Sequence, residues 1–298
     1  MSCLVPISAW YTRQRHPTGG RIISFGKHAF VDTDELIHLP CGRCIGCRLE
    51  RARQWAVRLM HETKTQERAS FLTLTYDENH LPQNNSLSVE DTQLFFKKLR
   101  KWSDCERRSP IRYFVCGEYG EHTARPHYHV ILFGEDFAET RTHYKNNLYT
   151  SPDLEKLWGK GFAPIGSVTF DSACYVASYC TKKITGPSAP EHYGKRLPEF
   201  GNSSRRPGIG STFFQKYWRD IYPSDEVIIN GLSSKPPRFY DKLLAKQNPQ
   251  LWKQVHEKRL QEAPQELSPE WFESLSYRRL GAKDSILKAQ FKMKRKEL

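Results

Sequence analysis

Two histidines one residue apart, His127 and His129, sit inside the apolar run RPHYHVILFG. In a strand alternate side chains share a face, so both imidazoles point together while Tyr128 and Val130 point the other way. Such a pair either ligates a metal or forms an ordinary hydrogen-bonded surface pair. Glu118 lies nine residues before His127, at the end of the strand expected to pair with the histidine strand. In an antiparallel hairpin these positions approach each other. Alone, Glu118 reads as a hairpin-end ion-pair partner. Opposite two imidazoles it completes a mixed nitrogen and oxygen site for Mg²⁺ or Mn²⁺, with positions left open for substrate oxygens.

Further along, YVASYCTKK places Tyr175, Tyr179 and Lys183 at i, i+4 and i+8, near one helical stripe. Val176 and Cys180 form a stripe of their own, so the tyrosines either share the core with them or face a site. A tyrosine hydroxyl, with a pKa of about 10, is a poor nucleophile unless an ammonium or a metal assists it. With that help it can form a covalent phosphoester. A third cluster, CGRCIGC, carries Cys41, Cys44 and Cys47 at a spacing suited to tetrahedral thiolate coordination. A structural zinc there wants a fourth ligand, and Cys3 is the remaining cysteine outside the catalytic block. His38 or His61 is the alternative ligand, and a solvated reduced cluster the alternative reading. Cys105, Cys116, Cys174 and Cys180 lie among apolar residues and read as small core residues.

The elements that must position these groups follow from periodicity and turn chemistry. Short, Gly- and Pro-broken pieces lead to the cysteine cluster, then RLERARQWAVRLMHET reads as an amphipathic helix. Its Arg48, Arg51, Arg53 and Arg58 form either a solvated basic face or a DNA-facing one. SFLTLTY reads as a strand, and Ser88 three residues before Asp91 starts a helix. IRYFVCGEYG and RPHYHVILFG pair as strands, Ser151-Pro152 opens a short helix through Trp158, and IGSVTF is another strand. The tyrosine helix is expected to be capped by Asp171 or Ser172 and stopped by Gly186. This β-α-β-β-α-β-α order is that of a ferredoxin-like split βαβ sheet, and it also describes an RRM with helices on one face. Beyond Gly186 a long Gly-, Pro- and Ser-rich loop or flap precedes the helix TFFQKYWRDIY, the strand EVIIN and a helical end with a basic tail. Gly208-Ile209-Gly210 lacks the lysine and Ser/Thr of a phosphate-binding loop. Three segments result: a Cys-rich part with the basic helix (1–69), a core (70–186), and a loop and helical extension (187–298).

The 298 residues carry a formal charge of +13 and a sequence pI near 9.3, which favours a polyanionic partner, most often nucleic acid. No stretch has the length of a transmembrane helix, and MSCLVPISAW lacks a signal-peptide pattern. A protein acting inside the cell, away from membranes, is expected.

H-x-H on a strand, a nearby carboxylate and a downstream tyrosine helix together resemble the HUH endonucleases, the rolling-circle replication initiators and relaxases. PCGRCIGCRLERARQWAVR, FLTLTYDENHLP, CGEYGEHTARPHYHVILFG, LYTSPDLEKLW, GSVTFDSACYVASYCTKK and IYPSDEVIINGLSSKPPRFYDKLL more closely resemble the replication initiators of gokushoviruses, single-stranded-DNA phages of the Microviridae. That resemblance runs from about Cys3 to Leu244. It implies a nickase that cuts one strand of the duplex replicative form at the origin and stays linked through tyrosine to the 5′-phosphate. The freed 3′-OH would prime a host polymerase, a host helicase would unwind, and the product circle would be rejoined, all in the host bacterial cytoplasm. His127 and His129 match the metal-binding pair, Glu118 fits the third ligand, Tyr175 and Tyr179 match a two-tyrosine helix, and Lys183 or Lys182 is the basic helper. Arg48, Arg51, Arg125 and Lys182 are the candidate contacts to viral origin DNA, single-stranded or supercoiled duplex. The fold expected is α+β, a ferredoxin-like or RRM-like antiparallel sheet of HUH endonuclease type with helical elaborations and a Cys-rich N-terminal knot. A non-catalytic RRM-like binder and a metal-dependent hydrolase using water are the competing readings.

Overall fold

The computed structural model describes residues 3–16, 21–26, 31–105, 110–120, 123–179, 183–184, 186–262 and 276–294. Two units are distinct: residues 1–51 with 262–298, and residues 52–261. The larger is built on a seven-stranded sheet. Its strands are β4 (Ala69–Thr75), β5 (Arg112–Tyr119), β6 (Pro126–Phe133), β7 (Thr142–Lys145), β8 (Leu148–Thr150), β9 (Ile165–Gly166) and β10 (Phe200–Ser203). Their order is β10-β5-β6-β4-β9-β8-β7, and every pairing is antiparallel.

The apolar run of β6 has a physical cause: both faces of the strand are covered. Tyr128, Val130 and Leu132 pack with Phe95 and Leu99 of helix α2 (Val89–Cys105) and Leu154 and Trp158 of helix α3 (Pro152–Trp158). Ile131 and Phe133 turn the other way, to Ala56 and Leu59 of helix α1 (Ile45–Thr63) and Ala173 and Val176 of helix α4 (Phe170–Tyr179). A strand buried on both faces reads as continuous apolar sequence rather than as strict alternation. Each fully buried side chain of this kind contributes roughly 1.5–3 kcal/mol. The expected helices on one face of the sheet are therefore helices on both.

Local starts and stops agree with the turn chemistry in two helices and depart from it in a third. Ser88 Oγ accepts from Asp91 N at 3.1 Å before α2. Ser151 Oγ accepts from Leu154 N at 3.4 Å before α3, and Gly159 ends that helix at φ +63°. For α4 the cap is neither Asp171 nor a lone Ser172. Thr169 Oγ1 accepts from Ser172 N at 3.1 Å while Ser172 Oγ accepts from Thr169 N at 2.8 Å, a reciprocal pair that satisfies two backbone donors. This cap takes over the end of IGSVTF, so only Ile165–Gly166 is strand.

The segment after Gly186, expected as a loop, holds helix α5 (Ala189–Tyr193) and strand β10. Beyond it lie helix α6 (Ser211–Ile221), the hairpin β11 (Val227–Ile229) and β12 (Leu232–Ser234), and helices α7 (Arg238–Gln247) and α8 (Pro249–Gln261). Asn230 and Gly231 turn that hairpin at φ +50° and +77°, the left-handed pair that matches strand twist. These elements pack Phe214, Tyr222, Val227, Tyr240 and Val255 around Val57 of α1. The larger unit thus continues through residue 261, well past the 70–186 core drawn from sequence.

The smaller unit contains an antiparallel sheet ordered β2-β1-β3, from β1 (Ile7–Arg15), β2 (Arg21–Ser24) and β3 (Val31–Leu39). Helix α9 (Tyr277–Lys294) also belongs to it. Two arginines of α1 are packed rather than solvated. Arg58 lies between the rings of Trp55 and Phe239 and donates to Ile209 O at 3.0 Å, and burial pulls its guanidinium down to about 10. Arg53 donates to Ser234 Oγ and Lys235 O at 3.1 and 2.9 Å. Of the scattered cysteines, Cys116 is core, Cys174 is half-buried and Cys105 is exposed, contrary to its expected burial, while Cys180 lies outside the described residues. Among the described residues no helix is long and apolar enough to cross a membrane.

Candidate metal centre and nucleophile helix

Register alone assembles the first cluster. In the β5–β6 ladder Glu118 stands opposite His127, and Cys116 opposite His129. Directly opposed residues lie close enough for side chains to meet, and the diagonal neighbour is within reach of a long one. Glu118 uses both contacts: its Oε1 lies 2.7 Å from His127 Nε2 and 3.0 Å from His129 Nε2. The three donor groups fall within 4.8 Å of one another.

The far side of each ring is also held. His127 Nδ1 is 3.1 Å from the carbonyl oxygen of Arg125, an acceptor, so this nitrogen carries a proton. In the neutral ring Nε2 is then a bare lone pair, and it faces a carboxylate oxygen. Two acceptors at that distance need a positive charge between them, either a proton or a cation. His129 Nδ1 meets Thr73 Oγ1 at 3.2 Å, from the residue opposite it on β4. Phe71, two residues earlier on the same face, stacks on the His129 ring with centroids 5.5 Å apart. The donor set, its fixed rings and its burial fit a divalent cation. The Glu118 and His129 side chains are 4% and 7% exposed and His127 19%, so the cluster reaches solvent on the His127 side.

Helix α4 brings the nucleophile candidate to this cluster. The half-buried Tyr175 ring meets the edge of His129 with centroids 5.3 Å apart at 71°. Tyr179 is the last described residue of the helix, and its side chain lies outside the described residues. Lys183 is exposed and outside any helix, so the i+8 continuation expected from spacing does not hold for it, and Lys182 lies outside the described residues. Just beyond, Ile184 N donates to Tyr193 Oη at 2.8 Å, and Tyr193 in turn donates to the buried Glu199. This clasp fastens the chain after the tyrosine helix to the segment leading into β10.

Among the candidate DNA contacts, Arg51 is exposed, and Arg48 is half-buried with its Nε on Arg43 O at 2.8 Å. Arg125 is engaged, donating to Glu78 Oε1 at 2.6 Å and to Tyr76 O at 2.9 Å. In the smaller unit the sulfurs of Cys3, Cys41, Cys44 and Cys47 form a second group able to hold a metal, also within 4.8 Å. His61, an alternative fourth ligand, is committed elsewhere: it stacks on Phe213 and pairs its Nδ1 with Tyr240 Oη at 2.9 Å. Spacing did not point to Thr73 or Phe71. The signal available for them was the period-2 face of FLTLT, polar at alternate interior positions.

Comparison with known proteins decides the family. The chain is 36% identical over 263 residues to replication-associated protein VP4 of Bdellovibrio phage phiMH2K, covering 85% of this chain and 80% of that protein. The chain belongs to the phage replication-associated proteins. It is also 31% identical over 265 residues to replication-associated protein ORF2 of Spiroplasma virus 4, with 83% and 81% covered. Replication-associated protein ORF4 of Chlamydia phage 1 matches at 31% over 222 residues, 70% of this chain and 54% of that protein. The family model of the ORF2-type replication-associated protein matches residues 69–184, which run from the start of β4 past the end of α4 and enclose all three carboxylate and imidazole residues. No solved structure matches the chain.

Proposed function

We propose that this replication-associated protein initiates rolling-circle replication as a site-specific, metal-dependent endonuclease of HUH type. One observation carries the reading: Glu118, His127 and His129 converge beside the ring of Tyr175. Those three residues would hold Mg²⁺ or Mn²⁺, which when bound polarises the scissile phosphate and stabilises charge on its non-bridging oxygens. Thr73 and the Arg125 carbonyl keep the two imidazoles aimed inward. Tyr175 or Tyr179 attacks phosphorus as its hydroxyl loses a proton, and Lys183 or Lys182 supplies positive charge to the phenolate. The bond from phosphorus to the 3′ oxygen breaks, that oxygen takes up a proton, and the 5′-phosphate remains on tyrosine. Because the phosphodiester is exchanged rather than hydrolysed, attack by a 3′-OH reverses the step and rejoins the strand.

The formal charge of +13 favours viral origin DNA as substrate, single-stranded or in supercoiled duplex. The freed 3′-OH would serve a host polymerase, with unwinding by a host helicase in the bacterial cytoplasm. An RRM-type binder is less well supported, because it needs exposed aromatics on an open sheet face. Here the histidine face packs against α1 and α4, and the opposite face against α2 and α3.

The test is incubation with labelled single-stranded origin DNA and Mn²⁺, read on a denaturing gel. The expected product is a protein–DNA adduct on the fragment 3′ of the cut. Free fragments without an adduct would mean water-dependent hydrolysis, and binding without cleavage would mean a non-catalytic module. Either result overturns the proposal.

A further inference from the structure

Four sulfurs from two distant stretches of chain meet in the smaller unit. Cys3 precedes β1, Cys41 and Cys44 follow β3, and Cys47 lies in the first turn of α1. All four sulfurs fall within 4.8 Å of one another, and Cys3 Sγ and Cys44 Sγ are 3.9 Å apart. A disulfide requires about 2.05 Å, so these are not bonded pairs. A tetrahedral zinc site with Zn–S bonds of about 2.3 Å sets its sulfurs roughly 3.8 Å apart.

The backbone treats these sulfurs as acceptors. Cys41 N points to Cys3 Sγ at 3.2 Å, Leu4 N to Cys44 Sγ at 3.3 Å, and Cys44 N and Arg43 N to Cys41 Sγ at 3.3 and 3.5 Å. Amide donors around thiolates spread their charge and fix their direction, the supporting shell that a metal–thiolate centre needs. Cys3 and Cys47 are also buried, at 4% and 9% exposure.

We infer that Cys3, Cys41, Cys44 and Cys47 bind one zinc ion as a closed structural tetrathiolate centre, separate in chemistry from the carboxylate and imidazole site. Soft thiolates select zinc, whereas Mg²⁺ and Mn²⁺ prefer oxygen, so the two sites do not exchange ions. With four thiolates present, the histidine alternatives are not required.

The sheet that this ion closes has little else to hold it. Ala9 and Leu4 are buried, but Val5, Ile7, Leu36 and Phe25 stand 64%, 41%, 42% and 66% exposed. A small sheet with so thin an apolar face is marginal in water without a staple. The zinc joins the start of β1, the end of β3 and the start of α1, so β1–β3 should order only when the ion is bound.

The experiment uses the full chain and no DNA, so its outcome is independent of the proposed nicking. Protein purified without added metal should contain about one zinc per chain after dialysis against a mild chelator. Cobalt substitution should give the intense near-ultraviolet charge-transfer band of thiolate–cobalt and visible bands of a tetrahedral ion. Alkylation read by mass spectrometry should label the exposed Cys105 at once and the four ligands only after zinc is withdrawn. Hydrogen exchange in β1–β3 should then rise while that in β4–β6 does not. Cys44→Ser should lower zinc content, and if that variant fails to fold, the wild-type alkylation and exchange data decide. Folded protein without zinc, with the four cysteines alkylated as fast as Cys105, would overturn the inference, as would iron in place of zinc.

Discussion

Glu118 Oε1 faces two imidazole nitrogens, and the remaining nitrogen of each ring has its own partner, so single atoms can be removed with distinct consequences. Removing a ligand, by His127→Ala, His129→Ala or Glu118→Gln, should cut cleavage at least 100-fold with DNA binding little changed, since phosphate contacts from a basic surface do not need the ion. Gel shifts alongside nicking assays check both halves, and a double histidine variant that nicks at the wild-type rate would remove the site. Thr73→Val is subtler: it deletes the partner of His129 Nδ1 and keeps the shape. Loss of such a supporting bond costs about 10–100-fold in metal affinity, so the Mn²⁺ concentration for half-maximal cleavage should rise by that factor. For the tyrosines, Tyr175→Phe and Tyr179→Phe should each leave some single cleavage and the double variant none; a single variant fully active through cleavage and rejoining would show that its residue only packs. The three ligands could be read from sequence because their geometry is local, a two-residue period and a short hairpin. Thr73 could not, because the β4–β6 pairing that brings it to His129 spans 56 residues of chain.

The elements around the site were readable where their own residues dictate them and obscure where the rest of the fold does. Ser88 and Ser151 announced α2 and α3, and the apolar run announced β6. Strand β10, Phe-Gly-Asn-Ser, has poor intrinsic strand preference and exists because it pairs with the edge of β5. The arginines of α1 looked solvated because no spacing shows that Trp55 and Phe239 sandwich one of them. The same helix carries Glu62, fully buried, whose oxygens accept from Arg112 Nε at 2.5 Å and from Gly210 N at 2.6 Å. Through it α1 is tied to β5 and to the turn entering α6. Glu62→Ala would leave the half-buried Arg112 guanidinium without its carboxylate, a loss of about 3–5 kcal/mol. Glu62→Gln, which keeps the acceptor for Gly210, should lose less. Urea denaturation of the two variants checks the order, and a Glu62→Ala midpoint within error of wild type would show that the pair does not hold these elements.

At the scale of the whole chain, composition announced a polyanion-binding protein but not how the fold responds to acid, which depends on where one histidine is buried. His61 is 2% exposed, where α1 meets Phe213 of α6 and Tyr240 of α7. Burial, with a smaller contribution from the Lys64 charge, pulls its imidazole from the ordinary 6.5 down to about 3. The unfolded chain therefore takes up a proton below about pH 6.5 that the folded chain refuses. Stability from this group is fully present above that pH and drains away as pH falls toward 3, with a limiting slope of about 1.4 kcal/mol per pH unit. Carboxylates act in a different window. Burial raises Asp225, but hydrogen bonds from Arg259 and Lys235 lower it further, so its contribution is lost only as pH drops below about 4. Between pH 6 and 4.5 the histidine should dominate. In that interval wild-type unfolding free energy should decline steeply, whereas His61→Gln, which retains a partner for the Tyr240 hydroxyl, should give a nearly flat profile from a lower starting stability. Urea unfolding at four or five pH values for both proteins makes the comparison, and parallel curves would show that the acid response arises elsewhere in the molecule.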